Sequence, residues 1–193
     1  MELQRIGMKM FCREGDSIPL VEFIPIFHRW IQEGLTDTLL IDVADYSHVV
    51  DGPGILLAAG EGNFGLDENR GRRGLVYYQK TDQGGGPDAR LAGICKRVVQ
   101  ACKQLESEPE LAGRLSFDTA EIEIFSNDRL HGPNTPQGYE QVEPHVVGLL
   151  SRLYGDGGAT VEREQDSRER LAFYAKAANA GLTLEGLHEK LGG

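Results

Sequence analysis

The chain is short of cysteine, of long apolar runs and of positive charge, and each shortage excludes something. Its three cysteines, Cys12, Cys95 and Cys102, are odd in number and contain no Cys-x-x-Cys pair, so no disulfide framework is legible and a reducing, cytoplasmic setting is expected. The longest apolar run, Gly54-Ile55-Leu56-Leu57-Ala58-Ala59-Gly60, falls far below the about 20 residues a helix needs to cross a bilayer. The start, Met1-Glu2-Leu3-Gln4-Arg5, lacks the basic-then-apolar profile of a signal peptide. Lys and Arg number 20 against 30 Asp and Glu, a net charge of −10 that argues against nucleic acid and anionic membrane as partners. No Gly-x-Ser-x-Gly, His-Glu-x-x-His or Walker pattern is present, and no motif names a cofactor.

What remains is the composition of a folded domain: 193 residues, 40% apolar and 26% charged. A domain of this length buries roughly 70% of the surface its unfolded chain would expose, so one cooperative unit over residues 1–193 is expected. Ile6 to Arg13 alternates as a strand does, and Asp16 and Ser17 offer helix caps. Phe23 to Glu33 has helical periodicity, with Pro25 in the first turn and Gly34 as a stop. Thr38 to Val43, Ile55 to Ala59 and Gly74 to Lys80 read as strands, the first buried on both faces. From Asp88 to Glu106, Leu91, Ile94, Cys95, Val98, Ala101, Cys102 and Leu105 form one helical stripe, which makes the two cysteines core hydrophobes. Leu115 to Phe125 predicts a strand region and Val142 to Tyr154 a helix led by Pro144. Ala159 to Glu164 with Arg170 to Ala175 predicts a hairpin, and Leu184 to Leu191 a closing helix.

Residues 1–110 and 111–193 resemble each other in pattern. Met8-Lys9-Met10-Phe11 matches Ile122-Glu123-Ile124-Phe125, and the Arg, Leu, Tyr and Lys of 72–80 recur in register over 168–176. Strand alternation and helix stripes alone also generate much of this likeness, so a duplication is one of two readings. If the halves do correspond, the first carries a surplus around Asp42 to Arg73. Added loops are where a scaffold carries specific chemistry, which makes that region the expected site.

Within it, Asp42, Asp45, His48 and Asp51 recur every third residue at a strand end. Carboxylates and an imidazole are suitable ligands for a divalent metal, or an acid/base set, but this spacing aligns them only on a helical or 3₁₀ turn. Arg70, Arg72 and Arg73 form the densest basic spot, answered by Arg163, Arg168 and Arg170; such groups grip carboxylates or phosphates, or pair with the chain's own acids. Gly60-Glu61-Gly62-Asn63-Phe64-Gly65 fits a dinucleotide fingerprint in letters, yet no helix follows it, so it reads as hairpin glycines. Gly84-Gly85-Gly86 precedes a helix and could hold a phosphate, but Pro87 removes a donor and Asp88 supplies negative charge, so it reads as a linker. His131, in the long loop of the second half, meets the first cluster only if the halves pack face to face.

The expected fold is α+β: a mixed, mainly antiparallel sheet covered by three or four helices, in two βαββα-like halves. The expected function is non-enzymatic small-ligand binding or self-assembly, with Asp42, Asp45, His48, Asp51, Glu61, Arg70, Arg72 and Arg73 at the site. The alternative is a metal-assisted hydrolase or lyase with Asp42, Asp45 and His48 on the metal and Glu61 beside it. The partner is a small molecule or a protein, and the apolar strand Leu75-Val76-Tyr77-Tyr78 points to a homo-oligomer.

Overall fold

Eight strands form a single sheet in which every neighbouring pair is antiparallel. They are β1 (Ile6–Cys12), β2 (Leu40–Tyr46), β3 (Gly54–Ala59), β4 (Gly62–Asp67), β5 (Gly74–Gln79), β6 (Phe117–Ser126), β7 (Ala159–Arg163) and β8 (Ala172–Ala177). Across the sheet they lie in the order β2-β3-β4-β5-β1-β6-β8-β7. The computed structural model describes residues 4–13, 17–82, 84–178 and 181–192, so the expected cap Asp16 lies outside the described residues. The α+β class holds, while the parallel component of the expected mixed sheet is absent among the described strands.

Alternation explains which face each strand turns to the core. On β1, Ile6, Met8 and Met10 face the helices, and Lys9 and Phe11 face the other way. Four helices cover one face: α1 (Phe23–Glu33), α2 (Pro87–Ser107), α3 (Pro136–Tyr154) and α4 (Leu184–Lys190). The α1 stripe Phe23, Ile26, Phe27 and Trp30 is fully buried, and Gly34 ends the helix in the left-handed region at φ 64°. Along the length of α2, Leu91, Ile94, Cys95, Val98, Cys102 and Leu105 pack over β1 and β5, at the centre of the sheet. None of these helices is long and apolar enough to cross a membrane.

Three local expectations are corrected. The run Thr38 to Val43 is not a doubly buried strand: β2 is an edge strand, with Ile41 57% exposed. Residues 62–67, expected as turn, form strand β4, because Phe64 and Leu66 fill the helix side while Asn63, Gly65 and Asp67 lie on the other. Helix α3 starts at Pro136, with Thr135 accepting from Gly138 N–H at 3.0 Å; Pro144 therefore lies inside the helix rather than leading it. The fingerprint glycines Gly62 and Gly65 lie within β4, and a Cβ on Gly62 would come within 2.3 Å of the Tyr77 hydroxyl.

The strand order is symmetric about the β1–β6 pair. Moving outward, each half places its last strand next to its first, β5 beside β1 and β8 beside β6, and then the preceding strand, β4 or β7. Strands β2 and β3 extend the first half beyond this order. The strand Leu75-Val76-Tyr77-Tyr78 that suggested self-association lies inside the sheet, with Leu75, Val76 and Tyr77 buried and Tyr78 half-buried, so an exposed apolar strand no longer supplies a reason for an oligomer.

Candidate functional site

The face of the sheet opposite the helices is only partly covered by turns. At its centre, Val76, Phe125 and Ala172 form a small buried cluster with Tyr78 and Tyr174 packed against it. Phe125 lies across Gly7, its partner on β1: a Cβ there would meet the ring at 2.2 Å, so only glycine admits this ring position. Beside this cluster is a cleft of about 430 Å³ on the seam between β1 and β6. Both halves line it, the first through Phe11, Asp51, Asn69, Arg70 and Arg72, the second through Glu123, Asn127, Arg129, Arg170 and Tyr174.

Four arginines meet three carboxylates in this lining, and Glu121 and Glu164 reach two of the arginines from just outside it. Two of the guanidinium groups stack on the floor. Arg72 lies 3.9 Å from the centroid of Phe11 and Arg170 lies 3.3 Å from that of Phe125. Carboxylates fix their edges: Arg72 donates to Glu121, and Arg170 donates to Glu123 at 3.0 Å and more weakly to Asn127 at 3.4 Å. Arg70 closes one wall by donating to Glu164 and to the Tyr174 hydroxyl, each at 2.6 Å. Burial, with Glu123 close by, pushes the Tyr174 phenol above its ordinary range and keeps it protonated. Arg129 has no ion-pair partner among the described residues and stands exposed at the rim.

A buried pair holds these groups in place. The Lys9 ammonium, 2% exposed, bonds to Asp67 and donates to the Arg72 carbonyl at 2.6 Å. Asp67 in turn accepts from the backbone N–H and the side-chain amide of Asn69, both at 3.2 Å, and so fixes the turn that presents Arg70 and Arg72. Arg70 adopts φ 57° in that turn. The amide oxygen of Asn69, at the cleft, is buried without a hydrogen-bond partner among the described residues. A buried acceptor left open in this way is a place for a ligand or solvent donor.

The expected site residues separate into two groups. Asp51, Arg70 and Arg72 come together in the cleft, where Asp51 accepts from the Arg70 backbone N–H at 3.3 Å. Asp42 and Asp45 do not join them. Their spacing of three on strand β2 puts them on opposite faces, Asp42 opposite Ala58 and Asp45 opposite Ile55. Asp45 is held ionised, below its ordinary range, by the Ser47 hydroxyl and then the Ser47 N–H. His48 lies in the following turn with its ring 6.5 Å from that of Tyr46. Glu61 sits at the opposite end of the β3–β4 hairpin and accepts from Arg97 at 2.6 Å. Arg73 turns away to Glu68 and to the carbonyl of Ile18, both at 2.5 Å. Among the described residues no group of three or more His, Cys, Asp or Glu is arranged to hold a metal ion.

Sequence reasoning missed Phe11, Glu123, Phe125, Arg129 and Tyr174 as site residues. The signal was present: Lys9 and Phe11 on β1, and Glu121, Glu123 and Phe125 on β6, share the face that faces away from the helices. His131 pairs with Asp128 at 2.9 Å inside its own loop, and Arg129 of the same loop lines the cleft. Comparison of the chain with protein-family models, with curated proteins and with solved structures finds no match.

Proposed function

We propose that the protein binds a small anionic molecule, a carboxylate or phosphate ester with an apolar or aromatic portion, on the open face of its sheet. One observation carries this reading: arginines from both halves converge on a single aromatic-floored cleft in a strongly acidic chain. Its volume of about 430 Å³ lies within the range of small-molecule sites. The stacked arginines keep N–H groups unused by their carboxylate partners, which an oxyanion can accept from, and the phenylalanines supply apolar surface. Arginine does not exchange its proton near neutral pH, and the Tyr174 phenol is held protonated, so the arginines and Tyr174 are suited to holding charge rather than moving protons. We therefore favour binding over catalysis.

The test is a thermal-shift and calorimetric panel of inorganic phosphate, citrate, benzoate and a nucleoside monophosphate. A ligand present at a hundred times its Kd should add about 2.7 kcal/mol of stability. Arg129→Ala, which breaks no hydrogen bond or ion pair among the described residues, should weaken binding about tenfold, and Arg170→Ala should weaken it further. If no anion in the panel raises the melting temperature, or if the gain survives both substitutions, the reading is wrong.

A further inference from the structure

We infer that the outer side of β2 and the turn after it form a docking surface for a protein partner that is basic and carries apolar anchors. The surface is built from exposed apolar residues on an unpaired sheet edge. Nine large hydrophobics stand exposed among the described residues, and five of them, Leu39, Ile41, Tyr46, Val49 and Val50, fall within residues 39–50. Ile41 is 57% exposed and Val50 90%. Scattered single apolar residues need no explanation, but this concentration on one strand and its turn does.

The backbone of the edge is guarded while its side chains are not. Asp42 curls onto the N–H of Val43 at 2.8 Å, and the β2–β3 register breaks at Ile41, between Leu40 and Asp42. A capped N–H and a bulge are devices that block strand addition, so the occupant engages side chains rather than extending the sheet. A second copy of this chain is disfavoured on the same ground.

Charge selects the occupant. Residues 30–69 contain eight carboxylates and no lysine or arginine, in a chain whose net charge is −10. Four of these acids have cations from elsewhere: Asp37 and Glu61 meet Arg97, Asp67 meets Lys9, and Glu68 meets Arg73. Asp42 and Asp45, on the edge itself, meet none among the described residues, and Ser47 keeps Asp45 ionised. Asp42 shares its face of the edge with exposed Tyr46, and Asp45 flanks the edge from the other face, so acids and apolar side chains together complement a basic and apolar partner that grips the edge from both sides. Against a second copy they would set carboxylate near carboxylate, a like-charge cost that disfavours that pairing.

The probe is a short fluorescent peptide of alternating lysine and leucine, with a glutamate–leucine peptide as its counterpart. Anisotropy should show binding of the basic peptide alone, and amide chemical-shift changes should be confined to residues 39–50. The double variants Ile41→Ser/Val50→Ser and Asp42→Asn/Asp45→Asn should each weaken binding about tenfold. Glu162→Gln/Glu189→Gln removes two exposed acids elsewhere and should leave binding unchanged. Equal weakening by that control, or shifts spread over the whole surface, would reduce the effect to general charge attraction and overturn the inference. So would failure of the basic peptide to bind, or a sedimenting dimer that Ile41→Ser/Val50→Ser dissolves. None of these outcomes bears on anion binding at the cleft, which is read by a different ligand and different variants.

Discussion

Gly7→Ala tests how the open face is built. Gly7 lies opposite Phe125, and a Cβ built on it falls 2.2 Å from two ring carbons and 3.0 Å from a third. Carbon atoms in contact prefer about 3.5–4.0 Å, so the ring must retreat by more than about 1 Å. Its outer face leaves no room for that, because the Arg170 guanidinium sits 3.3 Å from the ring centroid and is tied to Glu123 at 3.0 Å. Either the strands part, an overpacking cost of about 1–3 kcal/mol, or the ring leaves its site and forfeits about 1.5–3 kcal/mol of burial. Both routes lead to a loss of about 1–3 kcal/mol, or roughly 2–12 °C in Tm for a domain of this size.

Urea unfolding followed by the fluorescence of Trp30, the single tryptophan and fully buried, reads this loss directly. Phe125→Ala alone should cost about 3–5 kcal/mol. In the double variant the new methyl has no ring to meet, so the two losses should fall short of additivity by about 2 kcal/mol. Gly7→Ala should also weaken anion binding, because displacing Phe125 displaces Arg170. A single variant within about 0.5 kcal/mol of the parent, or additive losses in the double, would refute the argument that Phe125 requires a bare backbone beneath it.

Four further outcomes are expected. Lys9→Met leaves the Asp67 carboxylate buried without its cation and should cost about 3–5 kcal/mol in urea, of which Lys9→Met/Asp67→Asn recovers part; a loss below about 1 kcal/mol would show that the pair is not desolvated. Burial pushes the Cys95 thiol up to about 12 and raises that of Cys102, so at pH 8 a thiol reagent should label Cys12 in the native protein and reach the other two only on unfolding; three fast thiols would contradict this. Bonds from Lys176 and then Arg72 hold Glu121 below the ordinary carboxylate range. A carboxyl lowered on folding stabilises above its unfolded pKa of about 4.3, and that contribution fades as pH falls through the lower folded value; Glu121→Gln should flatten the acid limb of a stability–pH curve, and an unchanged limb would remove it as a contributor. Finally, Glu123→Gln removes the charge opposite Arg170 and should strengthen anion binding severalfold, whereas weaker binding would mean that clamping of Arg170 by Glu123 outweighs the charge it cancels.

The helix stripes and most strands were legible because each repeats on its own period. Leu91 to Leu105 marks α2 at helical spacing, and Ile6, Met8 and Met10 mark β1 at strand spacing, with no reference to tertiary structure. Strand β4 was hidden by glycines: Gly62 and Gly65 read as turn, although each is there to let a neighbouring group approach. The edge position of β2 was also illegible, since Leu39-Leu40-Ile41 looks equally apolar with or without a neighbour. For the candidate site, the basic spot at Arg70 and Arg72 was visible as a cluster. The cleft itself was not, because Phe11, Glu123, Arg129 and Tyr174 lie far apart in the chain and meet only through the β1–β6 and β6–β8 pairings.

The pairing of the cleft arginines with carboxylates acts in two directions. A guanidinium already bonded to a carboxylate attracts an incoming anion less, since the pair's field falls off faster than that of a lone charge. Yet a guanidinium stacked on Phe11 or Phe125 and clamped at one edge by Glu121 or Glu123 has little rotamer freedom left to lose. An exposed, unclamped side chain of this kind surrenders about 0.5–1.5 kcal/mol when a ligand immobilises it. Which effect wins depends on the charge left after pairing: Arg129 has no ion-pair partner among the described residues, and it is set against the Asp51 carboxylate of the same lining. The clamped arginines thus supply orientation and Arg129 an unclamped charge, a division that suits the proposed ligand if its anionic group sits at the rim and its flat or apolar portion lies over the stacked floor.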